Sequence, residues 1–289
     1  MSVADIVQMT LTGANLGLMY GLIAIGLTLI FGVMRIIQYA HGEMFMLGAF
    51  FLYYWTTVWG LPYWIGVAAS AVVLFFLGAI LQKILFAPLH GKDILYTLAV
   101  SLGLVFIFSS GGQLVFGTTV KGVSSVVTGG IVLGGTYFSY ERMVISGVSI
   151  VLILCLWYFL KKSRTGLAIR AVSEDPATSA LQGIQTDRIH WIAFGIGSGL
   201  AAIAGCMMGT LLSIVPSMGF TATIKAFMIV ILGGLGSVPG ALVGGMILGM
   251  IDSVVTSTIS ADVAIILSFV VIFLVLAFRP SGLFGQQWD

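Results

Sequence analysis

Apolar residues run almost unbroken along this chain, and short polar clusters divide them into lengths suited to a bilayer. After a polar lead at 1–12, residues 13–33 form a first uncharged run, and 36–59 form a second that contains His41 and Glu43. Further runs occupy 63–86, 94–116, 143–160, 191–214, 241–255 and 263–278. About 20 apolar residues suffice for a helix to cross the hydrocarbon core, so eight segments are expected to span. A ninth at 224–236 is apolar but is broken by Gly233-Gly-Leu-Gly-Ser-Val-Pro-Gly240 and is expected to cross or re-enter. Small residues recur every four positions at Gly13, Gly17 and Gly21, at Gly195 and Gly199, and at Gly205 and Gly209. That spacing lets helix backbones approach closely in lipid. The Gly-, Ser- and Thr-rich stretch 117–142 reads as a loop.

The expected fold is therefore a single all-α, polytopic transmembrane domain over 1–289, with eight to nine membrane segments, one of them broken or re-entrant. Composition agrees. The chain is 59% hydrophobic and 8% charged, against roughly 25% charged in soluble domains. Strand-length alternation, the mark of a membrane β-barrel, is not the pattern here. Arg35, the first basic residue, follows the first apolar run, so no cleaved leader is expected. Cys155 and Cys206 both fall in apolar runs and read as membrane-buried thiols, not as a disulfide or metal pair.

Charge orients the helices. Arg35, Lys83, Lys92, Lys161, Lys162, Arg164, Arg170, Arg188 and Arg279 share one side if the N-terminus is outside and the C-terminus inside. Lys121, Arg142 and Lys225 fall on the other. This obeys the positive-inside rule and requires an odd number of crossings.

The longest polar interval is 161–190, which holds five of the twelve basic residues and three of the ten acidic ones. Within it a short helix is expected. Asp175 is a suitable N-cap, Pro176 fits the first helical position, and Gly183 can end the helix at positive φ. Ala177 and Ala180 share a face. A helix of about two turns is unstable alone and must lie against something, which makes 161–190 a candidate docking surface.

The segment Ala171-Val-Ser-Glu-Asp-Pro-Ala-Thr-Ser-Ala-Leu-Gln-Gly-Ile-Gln-Thr-Asp-Arg resembles the cytoplasmic coupling loop of ABC importer permeases. It is most similar to the branched-chain amino acid (Liv-type, H subunit) permeases. Residues 15–48, ending in Tyr39-Ala-His-Gly-Glu43, and 225–249, with Leu232-Gly-Gly-Leu-Gly-Ser-Val-Pro-Gly240, resemble the same family. The resemblance implies a permease subunit in a bacterial inner membrane that carries leucine, isoleucine and valine. Relatives of that family carry urea, short amides or other small carboxylates. It also implies a second permease subunit, two ATP-binding cassette subunits and an external solute-binding protein as partners. Glu174, Asp175, Pro176, Ala177, Ala180 and Gly183 would couple to the ATPase. No Gly-Lys-Ser/Thr ending occurs, so the chain lacks a nucleotide-binding loop. ATP-Mg would be bound by the partner, and this chain needs no cofactor.

Candidate path residues are few. His41 and Glu43 are ionisable groups in an apolar run, where such groups face a cavity or a partner. They read either as a polar gate or as a structural pair held by a neighbouring helix. Gly233, Gly234, Gly236 and Pro239 read either as an interrupted helix lining the path or as a tight turn between packed helices. Asp252 and Asp262 read as interfacial carboxylates, solvated or facing a binding protein. The histidines are far apart in sequence with no ligand spacing, so no metal site is expected. No residue arrangement suggests enzymatic chemistry or nucleic-acid binding. The rival class is a stand-alone secondary transporter, for which His41 and Glu43 would be the coupling groups.

Overall fold

The computed structural model describes residues 3–125, 127–133 and 135–285. The chain is a helical bundle: α1 (Val3–Met34), α2 (His41–Tyr53), α3 (Tyr63–Leu81), α4 (Ile94–Phe116), α5 (Tyr140–Lys162), α6 (Arg164–Glu174), α7 (Pro176–Leu181), α8 (Thr186–Leu211), α9 (Met218–Gly233), α10 (Val238–Thr258) and α11 (Ala261–Phe278). Seven of these, α1, α3, α4, α5, α8, α10 and α11, are long and apolar enough to cross a bilayer; α9 is shorter. The polytopic expectation holds, with boundaries shifted. The lead at 1–12 is already helical from Val3, and the tail beyond Gly285 lies outside the described residues.

Helices α1 and α8 form the centre. Each is 78% buried over its most apolar window, whereas α4 and α11 are 17% buried. The outer helices turn large apolar side chains such as Phe106, Leu114 and Phe273 outward. A stripe of this kind is stable against lipid, not against water. The small-residue spacing works as expected at the centre. A Cβ on Gly249 of α10 would strike the backbone of Gly17 in α1, so these two helices meet backbone to backbone.

Two helices begin within the bundle. The second run does not start at 36: Arg35–Ala40 is not helical, and α2 begins at His41. His41 Nε2 lies 3.1 Å from the Ile23 carbonyl. That is eleven residues back from Met34, roughly 16 Å along α1. The chain therefore leaves α1, returns into the bundle as non-helical backbone, and starts α2 near mid-depth. Residues 212–217 similarly precede α9, tied by a backbone bridge between Ile214 and Lys121. The N-terminal turns of α2 and α9 meet. The Gly42 amide donates to Thr223 Oγ1 at 3.1 Å, and that hydroxyl lies 3.1 Å from the Tyr39 carbonyl. Ser101 of α4 accepts from the Tyr39 amide and donates to Gln38 Oε1 at 3.0 Å. Unwound backbone at this depth persists because neighbouring hydroxyls satisfy it. Gly42 has no alternative here, since a Cβ would collide with the Gly219 carbonyl oxygen.

The loop expected at 117–142 is partly ordered. Strands β1 (Gly130–Leu133) and β2 (Thr136–Ser139) pair antiparallel, Gly130 opposite Ser139, and Arg142 lies in the first turn of α5. Residues 233–240 are a tight turn, not an interrupted membrane helix. Helix α9 ends at Gly233, Ser237 caps α10 by accepting from the Gly240 amide at 3.1 Å, and Pro239 sits in the first turn. The last carbonyls of α9 are met by the C-terminal segment: Leu283 and Phe284 amides donate to Leu232 and Gly233 at 2.9 Å.

Candidate functional site

The coupling segment comes first. Ser163 caps α6 by accepting from the Gly166 amide at 2.8 Å. Ile169 and Val172 anchor α6 in an apolar cluster with Phe86, Ile189 and Phe194. Helix α7 then follows within a residue. The Asp175 carboxylate accepts from the Ala177 amide at 2.9 Å, the Thr178 amide at 3.2 Å and the Thr178 hydroxyl. The Thr178 hydroxyl and amide, then the Ala177 amide and the Arg35 charge, hold this carboxyl below the usual carboxylate range. Gly183 adopts φ of +83°, where a side chain is strained. The short helix is where its capping signals place it. It leans on the bundle through buried Ser179, while Ala177, Ala180 and Gly183 face outward. Leu181, which sequence reading passed over, is 87% exposed at its tip. Glu174, Asp175, Pro176, Ala177, Ala180 and Gly183 thus form one exposed surface.

Two of the cavities that border α1 are set apart along its length. The larger, about 1170 Å³, opens near the N-terminal part of α1 and is lined by Thr12, Tyr20, Arg142, Lys225, Asp252 and Thr256 among others. The smaller, about 380 Å³, includes Thr28, Gly32, Trp157, Arg170, Gly236 and Pro239. Tyr20 and Thr28 are eight residues apart, so roughly 12 Å of α1 separates the two.

A buried ion pair stands in the wall of the larger cavity. Lys225 Nζ lies 2.6 and 2.7 Å from the two carboxylate oxygens of Asp252. The Tyr20 hydroxyl donates to the same carboxylate at 2.9 Å, and the Lys225 ammonium stands 5.7 Å from the Tyr20 ring centre. This corrects one expectation: Asp252 is not a solvated interfacial carboxylate but the buried partner of Lys225. Both belong to packed helices, α10 and α9. Sequence reading missed the pair because 27 residues separate its members. The available signal was a lone lysine inside an apolar run.

Of the residues proposed for the path, Gly236 and Pro239 line the smaller cavity. His41, Glu43, Gly233 and Gly234 line neither. His41 and Glu43 are fully buried at the junction of α2 with α1 and α9, Glu43 beside Gly219. Gly233 packs on Gly240, and Gly234 packs on Gly285.

Two of the histidines that are far apart in sequence meet in the fold. His90, in the turn between α3 and α4, stacks on His190 of α8 with ring centres 4.5 Å apart, and Asp187 joins them.

A family sequence profile for the permease component of branched-chain amino acid transport systems matches residues 9–276. The chain belongs to the branched-chain amino acid transport permease family. It is 31% identical to the high-affinity branched-chain amino acid transport system permease protein BraD of Pseudomonas aeruginosa, over 96% of this chain and 95% of that protein. It is 32% identical to the permease protein LivH of Escherichia coli strain K12, again over 96% and 95%. A probable LivH of Methanocaldococcus jannaschii is 26% identical over 77% of this chain and 72% of its own length. As a member of this family the chain is a multi-pass membrane permease subunit.

Proposed function

We propose that this permease moves branched-chain amino acids, leucine, isoleucine and valine, along the α1 face that joins the two cavities. The observation that carries the proposal is the Lys225–Asp252 pair in the wall of the larger cavity. An amino acid brings a carboxylate and an ammonium together with an apolar side chain. Lys225 and Asp252 offer one complementary charge to each, and Leu16, Leu212, Ala264 and Ile265 line the same cavity for the aliphatic part. The bonds the pair makes to itself are exchanged for bonds to the solute, which lowers the cost of drawing a zwitterion into a low-dielectric bundle.

In this reading the larger cavity faces outside and receives solute from a binding protein, and the smaller faces the cytoplasm. The N-terminus is outside and the C-terminus inside, since nine of the twelve basic residues then lie on the cytoplasmic side. A second permease subunit completes the path, and two ATPase subunits bind ATP-Mg and press on α7. Energy enters through differential contacts of the two states with the ATPases. The secondary-transporter reading is the weaker one, because His41 and Glu43, its coupling groups, reach neither cavity.

The test is leucine uptake into proteoliposomes holding the full transporter. Replacing Lys225 by Gln is expected to abolish uptake with ATPase association intact. Uptake at the wild-type rate would overturn the path assignment. Uptake driven by a proton gradient without ATPases would overturn the ABC assignment.

A further inference from the structure

We propose that His90, Asp187 and His190 form a binding site for one late first-row divalent cation, with Zn(II) the best match. The proposal does not depend on which solute the permease carries. Each residue offers a ligand atom, and these atoms all lie within 4.8 Å of one another. Asp187 and His190 are three apart near the start of α8 and so share a face. His90 arrives from the α3–α4 turn, about a hundred residues away in sequence.

The hydrogen bonding of the two rings points to a ligand. His190 is only 6% exposed, yet neither of its ring nitrogens has a hydrogen-bond partner. Buried polar atoms are almost always bonded, and one that is not asks for an ion or another partner. A first-turn carboxylate at Asp187 is explained by the helix dipole alone; the unbonded imidazole is not. His90 is oriented in the manner of a metal ligand. Its Nδ1 lies 3.0 Å from the Ala87 carbonyl and donates to it, which leaves Nε2 with a free lone pair. A backbone carbonyl behind one nitrogen is the usual support for a histidine that ligates through the other.

The donor set selects the ion. Two imidazoles and one carboxylate suit Zn, Ni, Cu or Co, whereas Mg and Ca prefer all-oxygen shells. Zn–N and Zn–O bonds of about 2.0–2.2 Å in a tetrahedron place donors roughly 3.4 Å apart. The cluster must close by about 1.4 Å from its 4.8 Å limit, which the exposed His90 and Asp187 side chains allow. Three protein ligands leave a fourth position for water. A bound ion would tie the α3–α4 turn to the start of α8, three residues past Gly183.

The full chain, purified in detergent without a histidine tag, is titrated with Co(II) and then Zn(II). The expected result is one equivalent of Co(II) with tetrahedral visible bands, displaced by Zn(II). His90→Gln and Asp187→Asn each weaken binding by about tenfold or more, and Cys155→Ser leaves it unchanged. Absence of saturable binding, binding that survives both substitutions, or binding lost in Cys155→Ser would overturn the site. Diethyl pyrocarbonate labelling of the unaltered chain gives a second readout that needs no variant. One equivalent of Zn(II) is expected to protect His90, and undiminished labelling would equally overturn the proposal.

Discussion

Removing the Lys225 charge leaves Asp252 buried against a single neighbouring donor, and the cost is large enough to measure. The ammonium lies within 2.7 Å of both carboxylate oxygens, and the two side chains are 8% and 11% exposed. Solvent screening is therefore slight. In Lys225→Met the Tyr20 hydroxyl stays as the hydrogen-bond donor to Asp252. Breaking a buried pair in this way costs about 3–5 kcal/mol, while replacing both partners by apolar groups is often neutral. At about 2–4 °C per kcal/mol for a chain of this size class, Lys225→Met and Asp252→Leu should each lower the midpoint by roughly 6–20 °C. The double variant should melt above either single one. Fluorescence-monitored unfolding in detergent supplies the cycle, and leucine uptake is measured alongside. Single variants within about 0.5 kcal/mol of wild type, with a double that equals their sum, would refute the buried-pair reasoning. A stable double variant that transports normally would leave the energetics standing and refute the pair's part in the path.

Three further outcomes test other regions. Gly42→Ala forces a methyl into the Gly219 carbonyl and Thr223. It should destabilise by about 1–3 kcal/mol or more, whereas Gly103→Ala, with open space around it, should not; equal midpoints for the two would count against the α2–α9 junction. Leu181→Arg places a charge at the exposed tip of α7 and should cut ATPase co-purification with no shift in the chain's own melting midpoint. Undiminished co-purification would remove Leu181 from the docking surface. The Asp175 carboxyl is held below its ordinary range, so its cap is complete above about pH 4, the unfolded value, and is lost only as pH falls through the lower folded value. Amide exchange at 177–181, corrected for intrinsic rate, should be flat from pH 8 to 5. It should quicken in Asp175→Ala and stay slow in Asp175→Asn, which also caps; a cap already lost by pH 6 would contradict this.

The junction of α2 and α9 explains why an apolar chain tolerates two non-helical stretches inside its bundle. Backbone groups freed at Tyr39 and Gly42 find Ser101 and Thr223 from other helices. Both half-helices start there, and each places one glycine, Gly42 or Gly219, at the contact. His41 and Glu43 sit at this junction, where His41 Nε2 meets the Ile23 carbonyl, and neither lines either cavity.

What the sequence by itself determined is local in its physics. Span lengths follow from uninterrupted apolar runs, and the close α1–α10 approach follows from glycines four apart. The α7 helix follows from Asp175, Pro176 and Gly183 acting on their own backbone. Each of these signals acts within a few residues of its effect. The tertiary structure alone decided the rest. The depth at which α2 begins has no local mark, because Ile36 and Ile37 look like any span. The partnership of Lys225 with Asp252 and the stacking of His90 on His190 join residues whose spacing carries no period. A charge or imidazole in an apolar run announces that it needs a partner; which partner it meets depends on how the helices pack.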